Sequence, residues 1–572
     1  MKTFNPWNSK ATRWLWLVLV VLGLVIPCHA LAVGSWRPLA NFPSEGIGHM
    51  LLLSDGTVMA QGGGGVGVNW FRLTPDIHGS YVNGTWSALA PMNDTREYYS
   101  SDVLQDGRVF VAGGEYGSGY DKAEVYDPVA NSWTSITVPA GLITTGTNVS
   151  TNPNSLGAHL AGFIDSLSVV LSNGKVLNTP VFPVTSGATV IFDPVSNTLS
   201  QGPSLPDYDA DEQSSVKLPD DSILTFDWYQ NGQRFIPSLN QWITDQNLPV
   251  QLFSATTEEV GAGFLLPDGR AFFLGGTGLT LYYTPTGNTN QGAWTQGPNL
   301  PGGLVAQDAP AAMMPNGKIL CDFTIGSDHH TNYFYEFNPA NGTFTQTSGP
   351  NSPLTDTNYV KSDATSMLDL PDGTVLYSDT SGRLYDYQPD TAPLASGKPV
   401  VASVTYNTDG SLHLSGTLFN GISQGASFGD DNQMDSNYPL VRFTDGSGYV
   451  YYGRTYNWSS TSVMSGGRQV ITDCTLPINI FNGLGYYSLQ VVANGIASDP
   501  ITFDGLVWVD FSFNFPTQNG TYALPYNTLA QGISAVPSGG TIAIKPGHSL
   551  ITPTISKPMI ITAVGGTAII GQ

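Results

Sequence analysis

The chain has 572 residues, a formal charge of −23 and only 11% charged residues, with 65 glycines. That length exceeds one ordinary core, so several domains or a repeat array are expected. So acidic a chain disfavours nucleic acid as a partner, because such binding rests on Lys and Arg neutralising phosphates. β-branched and aromatic residues are common and no long stretch keeps a helical period, which indicates an all-β protein.

Residues 1–32 have the order of a secretory signal peptide: Lys2, Lys10 and Arg13, then the apolar run Trp14 to Pro27, then the small-residue pattern Ala30-Leu31-Ala32, with cleavage expected before Val33. The apolar run is short for a bilayer span, so no transmembrane helix is expected in the mature chain, which is read as secreted or held at the cell surface. Pro27 stands where a lipid-anchored Cys28 would need a small residue. Removing three basic and no acidic residues takes the charge from −23 to −26. Cys321 and Cys474 then remain, and no spacing rule decides whether they pair.

From there a strand-turn-strand pattern recurs seven times. Its turns fall at Asp55-Gly56, Asp106-Gly107, Asn173-Gly174, Asp220-Asp221, Asp268-Gly269, Asn316-Gly317 and Asp372-Gly373, at intervals of 47 to 67 residues. Asp-Gly and Asn-Gly suit a two-residue hairpin turn with both central residues at positive φ. An outer strand with Trp86, Trp133, Trp242 or Trp294 follows four of the turns, and Leu199 and Phe344 take that place in two more. The seventh unit ends at Tyr387-Gln-Pro-Asp390 without such a strand, while Gly34-Ser-Trp36-Arg-Pro-Leu-Ala40 at the N-terminus has the pattern and no unit of its own. Pairing the two would close a ring with no free edge. Residues 33–390 are therefore expected to form a seven-bladed β-propeller, followed by a linker at 391–397.

The runs VLQDGRVFVAGG at 103, AEVYDPVANSW at 123 and LLPDGRAFFLGG at 265 resemble kelch repeats, in particular those of secreted galactose oxidase-like propellers. Residues 398–503, with SFGDDNQMDSNYPLVRFTDGSGYVYYGRTYNWSS at 427–460, resemble the immunoglobulin-like β-sandwich (E-set) that follows the propeller in that family. The segment 504–572, with LPYNTLAQGISAVPSGGTIAIKPG, resembles the opening of a right-handed β-helix: a short helix near Thr528 to Val536, then parallel strands. So short a β-helix would be marginal alone, and docking on the sandwich or on a partner is expected.

Candidate chemistry lies on the propeller face opposite the turns. A carboxylate stands eight to ten residues ahead of every turn: Glu45, Glu97, Asp165, Glu212, Glu259, Asp308 and Asp363. Such a ring would need a cation, a basic ligand or water to screen it, and calcium, with its flexible oxygen coordination, is the natural ion. The competing interpretation is structural: such acids cap loop amides, and a spacing that mixes eight, nine and ten mixes the two faces of a strand. Tyr98, Tyr99, His159, His329 and His330 are further polar residues placed on that face.

The resemblance implies a copper centre made by two Tyr and two His, one Tyr cross-linked to Cys. Here Tyr98-Tyr99 stands where Tyr-His would be needed, and the sandwich segment offers only His413. Copper wants imidazole nitrogen, so a copper-dependent oxidase of the galactose or glyoxal oxidase type is disfavoured. No HExxH, GxSxG or phosphate-binding glycine loop is present. The expectation is a non-catalytic binding protein with a glycan ligand, helped by Tyr116, Tyr120 and Trp228 as stacking surfaces; a copper oxidase, a carbohydrate hydrolase and a structural or adhesive envelope protein are the alternatives. The sequence leaves the oligomeric state open.

Overall fold

The computed structural model describes residues 1, 33–63, 65–145, 161–207, 211–257, 259–326, 331–350, 362–379, 382–427, 433–481 and 486–572. Residues 2–32, read above as a signal peptide, and His159, His329 and His330 lie outside the described residues. No helix among those described is long and apolar enough to cross a membrane.

The protein is all-β, and its first part is a propeller-like ring of sheets. Six of the seven repeat units are separate four-stranded sheets, each antiparallel. The unit Ala311–Gln346 differs, because its inner strand Ala311–Met313 pairs on its free side with Gly425–Ser427 and so joins a seven-stranded sheet. Six free-standing four-stranded sheets therefore stand against the seven blades expected. Ser35–Pro38 pairs with Leu384–Gln388, from Ser35 opposite Gln388 to Pro38 opposite Tyr385, which supplies the strand the last unit lacks. Trp36 fastens that closure against Phe334, Tyr377 and Tyr387, with ring centroids 5.1, 5.5 and 4.7 Å away. Each such aromatic pair adds roughly 0.5–1.5 kcal/mol beyond its buried area.

The turns are not the two-residue type expected from their sequence. In the first, Leu53 N donates to Thr57 O (2.8 Å) and Gly56 N to Leu53 O (3.0 Å), so three residues form the loop and only Gly56, at φ 75°, is left-handed. That is a type I turn closed by a left-handed bulge residue. Asp or Asn is favoured for its side chain, which stays at ordinary φ and accepts from the backbone two residues on: Thr57 N to Asp55 Oδ1 at 3.0 Å, Arg108 N to Asp106 Oδ1 at 3.0 Å and Lys175 N to Asn173 Oδ1 at 3.1 Å. Where Asp221 replaces the usual Gly, it takes φ 68° itself.

Eight of the strands between Val400 and Asp504 form one antiparallel sheet, a path of seven with Ile501–Asp504 pairing off it. Val450–Tyr456 pairs with Leu440–Asp445 through its first half and with Gln469–Thr475 through its second, so the sheet wraps a single core that includes Leu412, Val441, Phe443, Val470 and Leu489. This part sits on the turn end of the ring and touches the turns of all seven units. Tyr452 packs on Gly56, Met464 on Gly269, and Gly495 on Pro315 and Gly373. Arg454 Nη1 donates to Asp106 O (3.0 Å), Thr461 Oγ1 to Leu171 O (2.7 Å), and Arg468 pairs with Asp221 (3.0 Å). From it the hairpin of Gly425–Ser427 and Gln433–Asp435 enters the axis and lies against the inner strands of several units.

In residues 504–572, Val507–Val509, Thr541–Ile544 and Ile560–Ala563 pair in parallel, as do Gly547–Ser549 and Ala568–Ile570. The helix Leu529–Ala535 begins with a capping box, Thr528 with Gln531. Trp508, Ala543 and Val564 join the core of the preceding sheet, which docks the tail there. Cys321 and Cys474 are free thiols buried in separate cores, and burial raises the pKa of both.

Candidate functional site

The end of the ring opposite the turns is built by the segments leading into the inner strands. Tyr98, Asp165, Glu212 and Asp308 each lie eight residues ahead of their turn, and all four have left-handed backbone, φ 49°, 41°, 52° and 45°. Non-glycine residues hold that conformation at a cost of order 1–3 kcal/mol, so the surrounding fold imposes it. The kink breaks strand alternation. It thereby answers the objection that spacings of eight and nine should face opposite ways.

Two carboxylate clusters result. Oxygens of Asp165, Asp211 and Glu212 lie within 4.8 Å of one another, and so do oxygens of Glu212, Glu259 and Asp308. Glu212 belongs to both, so acids from four successive units converge and every one of them is half-buried. Glu97 has its pKa raised by burial first and by the charge of Asp363 second, which places those two acids in one field. Tyr116 is raised by burial and then by Glu115, Glu97 and Asp165, so acids of neighbouring units act on it together. Glu45 differs: Asn69 Nδ2 donates to both of its oxygens, at 3.0 and 3.2 Å. Its carboxylate is held by a neighbouring loop amide, as in the structural interpretation.

Tyr98 packs edge-on against Tyr116, centroids 6.2 Å apart. Tyr99 does not reach this face. It is fully buried, and its hydroxyl donates to Gln61 Oε1 at 2.7 Å. Of the aromatics expected to stack on sugar, Tyr116 and Tyr120 are half-buried and Trp228 leans on Phe253 at 5.6 Å. His159, His329 and His330, with the neighbouring acids Asp209 and Glu258, lie outside the described residues.

One anchor escaped the sequence reading. Arg96, fully buried, donates Nη2 to Glu124 Oε1 at 3.0 Å and Nη1 to Gly119 O at 2.8 Å and to Gly113 O, pinning the segment that presents Glu97 and Tyr98. The pair Arg96 and Glu124 lies 28 residues apart and has no spacing signature.

A copper centre does not fit the donors described. His49 is buried, its Nε2 2.6 Å from Ser101 Oγ, and burial lowers its pKa to about 3; His413 Nδ1 lies 2.9 Å from Asp473 Oδ1. Both of the multi-donor clusters among the described residues are all-carboxylate, a donor set that suits hard cations rather than copper. The axial hairpin, Gly425 to Asp435, contains no histidine in its sequence.

The kelch motif matches residues 98–137. No curated protein matches the chain. Among solved structures, the chain is similar to a novel fungal alcohol oxidase with catalytic diversity among the AA5 family, in complex with copper, at 16% identity and TM-score 0.34, over 80% of this chain and 84% of that one. It is also similar to YjhT, at 13% identity and TM-score 0.36, over 54% of this chain and 99% of that one. A third is virginiamycin B lyase from Staphylococcus aureus, at 10% identity and TM-score 0.34, over 55% of this chain and 90% of that one. At this level of likeness neither activity nor ligand carries over to the chain.

Proposed function

We propose that this is a secreted or cell-surface binding protein, non-catalytic, built as a galactose oxidase-like seven-bladed kelch propeller with an immunoglobulin-like sandwich and a β-helix-like tail. In that reading the one blade that is not a free-standing sheet is the sixth unit, Ala311–Gln346, whose inner strand the axial hairpin extends. The ligand meets the acidic end of the ring, where a calcium ion between the carboxylates offers its open coordination positions to glycan hydroxyls. The observation that carries this is the convergence of Asp165, Glu212, Glu259 and Asp308 from four successive units. Half-buried acids so close repel one another, and a bound cation removes that penalty.

The test is thermal melting of the full chain with calcium or with a chelator. A calcium-dependent rise in Tm, absent in Glu212→Gln, is the expected result; superimposable curves would remove the cation from the proposal. Copper loading followed by a peroxide-release assay on alcohols and aldehydes covers catalysis. Stoichiometric copper with turnover would overturn the non-catalytic reading.

A further inference from the structure

A groove of about 360 Å³ lies where the tail meets the sandwich-like sheet, on neither end of the ring. Tyr406, Thr502 and Phe503 form one wall; Thr541, Ile560 and Thr562 form the other. In the parallel pairing Thr541 stands opposite Ile560 and Ala543 opposite Thr562, so hydroxyl and hydrocarbon groups share one face of the tail. The Tyr406 and Phe503 rings are 6.2 Å apart and inclined by 46°, with Phe503 buried and Tyr406 half-buried. No lining residue is charged, in a chain whose formal charge is −23.

That lining selects its ligand. A charged molecule would lose water and gain no counter-charge there. A purely apolar one would desolvate the threonine hydroxyls without replacing their hydrogen bonds. A neutral molecule with hydroxyls on its rim and a C–H face suits both walls, and the volume falls at the small end of the roughly 300–1,000 Å³ usual for ligand sites. We infer that this groove binds a neutral mono- or disaccharide, its ring face against Tyr406 and Ile560 and its hydroxyls toward Thr502, Thr541 and Thr562. The inference shares only a ligand class with the acidic end of the ring. It needs no cation.

The experiment places the full chain, in chelator, on an array of neutral oligosaccharides and their sulfated and sialylated counterparts. The strongest neutral binder is then titrated by calorimetry against wild type, Thr562→Glu, Thr502→Glu, Thr562→Ser and Glu212→Gln. Thr502 is exposed and Thr562 half-buried, so a carboxylate at either place is compatible with folding, which melting checks. The expected result is selection of neutral glycans, a loss of about tenfold or more in both groove Glu variants, and affinity kept in Thr562→Ser and Glu212→Gln. No neutral binder, a preference for charged glycans, or equal affinity in both groove variants overturns the proposal. Loss confined to Glu212→Gln also overturns it and moves the sugar to the ring.

Discussion

The two ends of the ring's axis handle the same residue type in opposite ways. At the turn end, aspartates such as Asp55, Asp106 and Asp268 each accept from their own hairpin backbone two residues on, and the sandwich-like sheet rests on those turns. At the other end, Asp165, Glu212, Glu259 and Asp308 face one another across unit boundaries. A carboxylate satisfied inside its own repeat is part of the scaffold. Acids brought within 4.8 Å of one another from different repeats add a mutual repulsion that a bound cation offsets. The axial hairpin lies between the two ends, among Asp102, Asp369 and Asp435, which are buried almost completely.

The largest effect is expected at the covered end. Trp458 is buried, stacked on Tyr438 at 4.6 Å with planes 3° apart, and Nε1 donates to Thr455 Oγ1 at 3.0 Å; the Tyr438 hydroxyl in turn donates to Leu52 O in the first unit. Trp458→Ala should cost about 3–5 kcal/mol in urea unfolding and leave the calcium response of the ring unchanged. A loss below about 1 kcal/mol would mean that the sheet and the ring are not packed as one body.

The axial acids come next. Burial pushes Asp369 up to about 8, although it accepts from Ser436 Oγ at 3.3 Å, and pushes Asp102 to about 7 and Asp435 to about 6. A raised acid keeps its proton in the folded state while the unfolded chain has released it. Stability is therefore complete below the unfolded pKa near 3.8 and declines as pH rises through the folded values of about 6 to 8. Asp369→Asn removes the largest such cost. Relative to wild type it should gain roughly 2–4 kcal/mol at about pH 9 and almost nothing at about pH 4, read from denaturant midpoints across pH. A gain independent of pH would assign the effect to packing.

At the acidic end the effect is smaller without a cation. Glu212→Gln removes the one charge common to both clusters, and should stabilise the chelated protein by about 0.5–1 kcal/mol at low salt, with the gain shrinking as salt screens the remaining acids. A salt-independent change would deny that repulsion is the cause.

The contrast between the ends also explains what the sequence disclosed. The turns, the tryptophan strands and the pairing of Ser35–Pro38 with the last unit repeat a local pattern, and local patterns survive in one dimension. Even so, the turn geometry was misjudged, because Asp-Gly serves a type I turn with a bulge as well as a turn with two positive φ values. The carboxylates ahead of the turns stood out by spacing, but their convergence depends on left-handed backbone at Asp165, Glu212 and Asp308, which spacing does not encode. The axial hairpin was hidden for a similar reason: Gly425 to Asp435 falls in sequence within the segment that resembles a sandwich, and its pairing with Ala311 and Ala312 and its packing on other inner strands carry it into the ring.

Glu45 provides the smallest and most discriminating effect. It belongs to the same series of acids ahead of the turns, ten residues before its own where the converging acids stand eight or nine, yet Asn69 holds both of its oxygens. If position in the repeat governed cation binding, Glu45→Gln would weaken the calcium-dependent rise in Tm as Glu212→Gln does. If geometry governs it, Glu45→Gln should leave that rise intact and cost only about 0.5–1.5 kcal/mol for the altered hydrogen bonds to Asn69. Paired melting curves of the two variants, with calcium and with chelator, decide between them, and equal loss of the calcium response in both would restore the evenly spaced ring of seven acids that the sequence alone suggests.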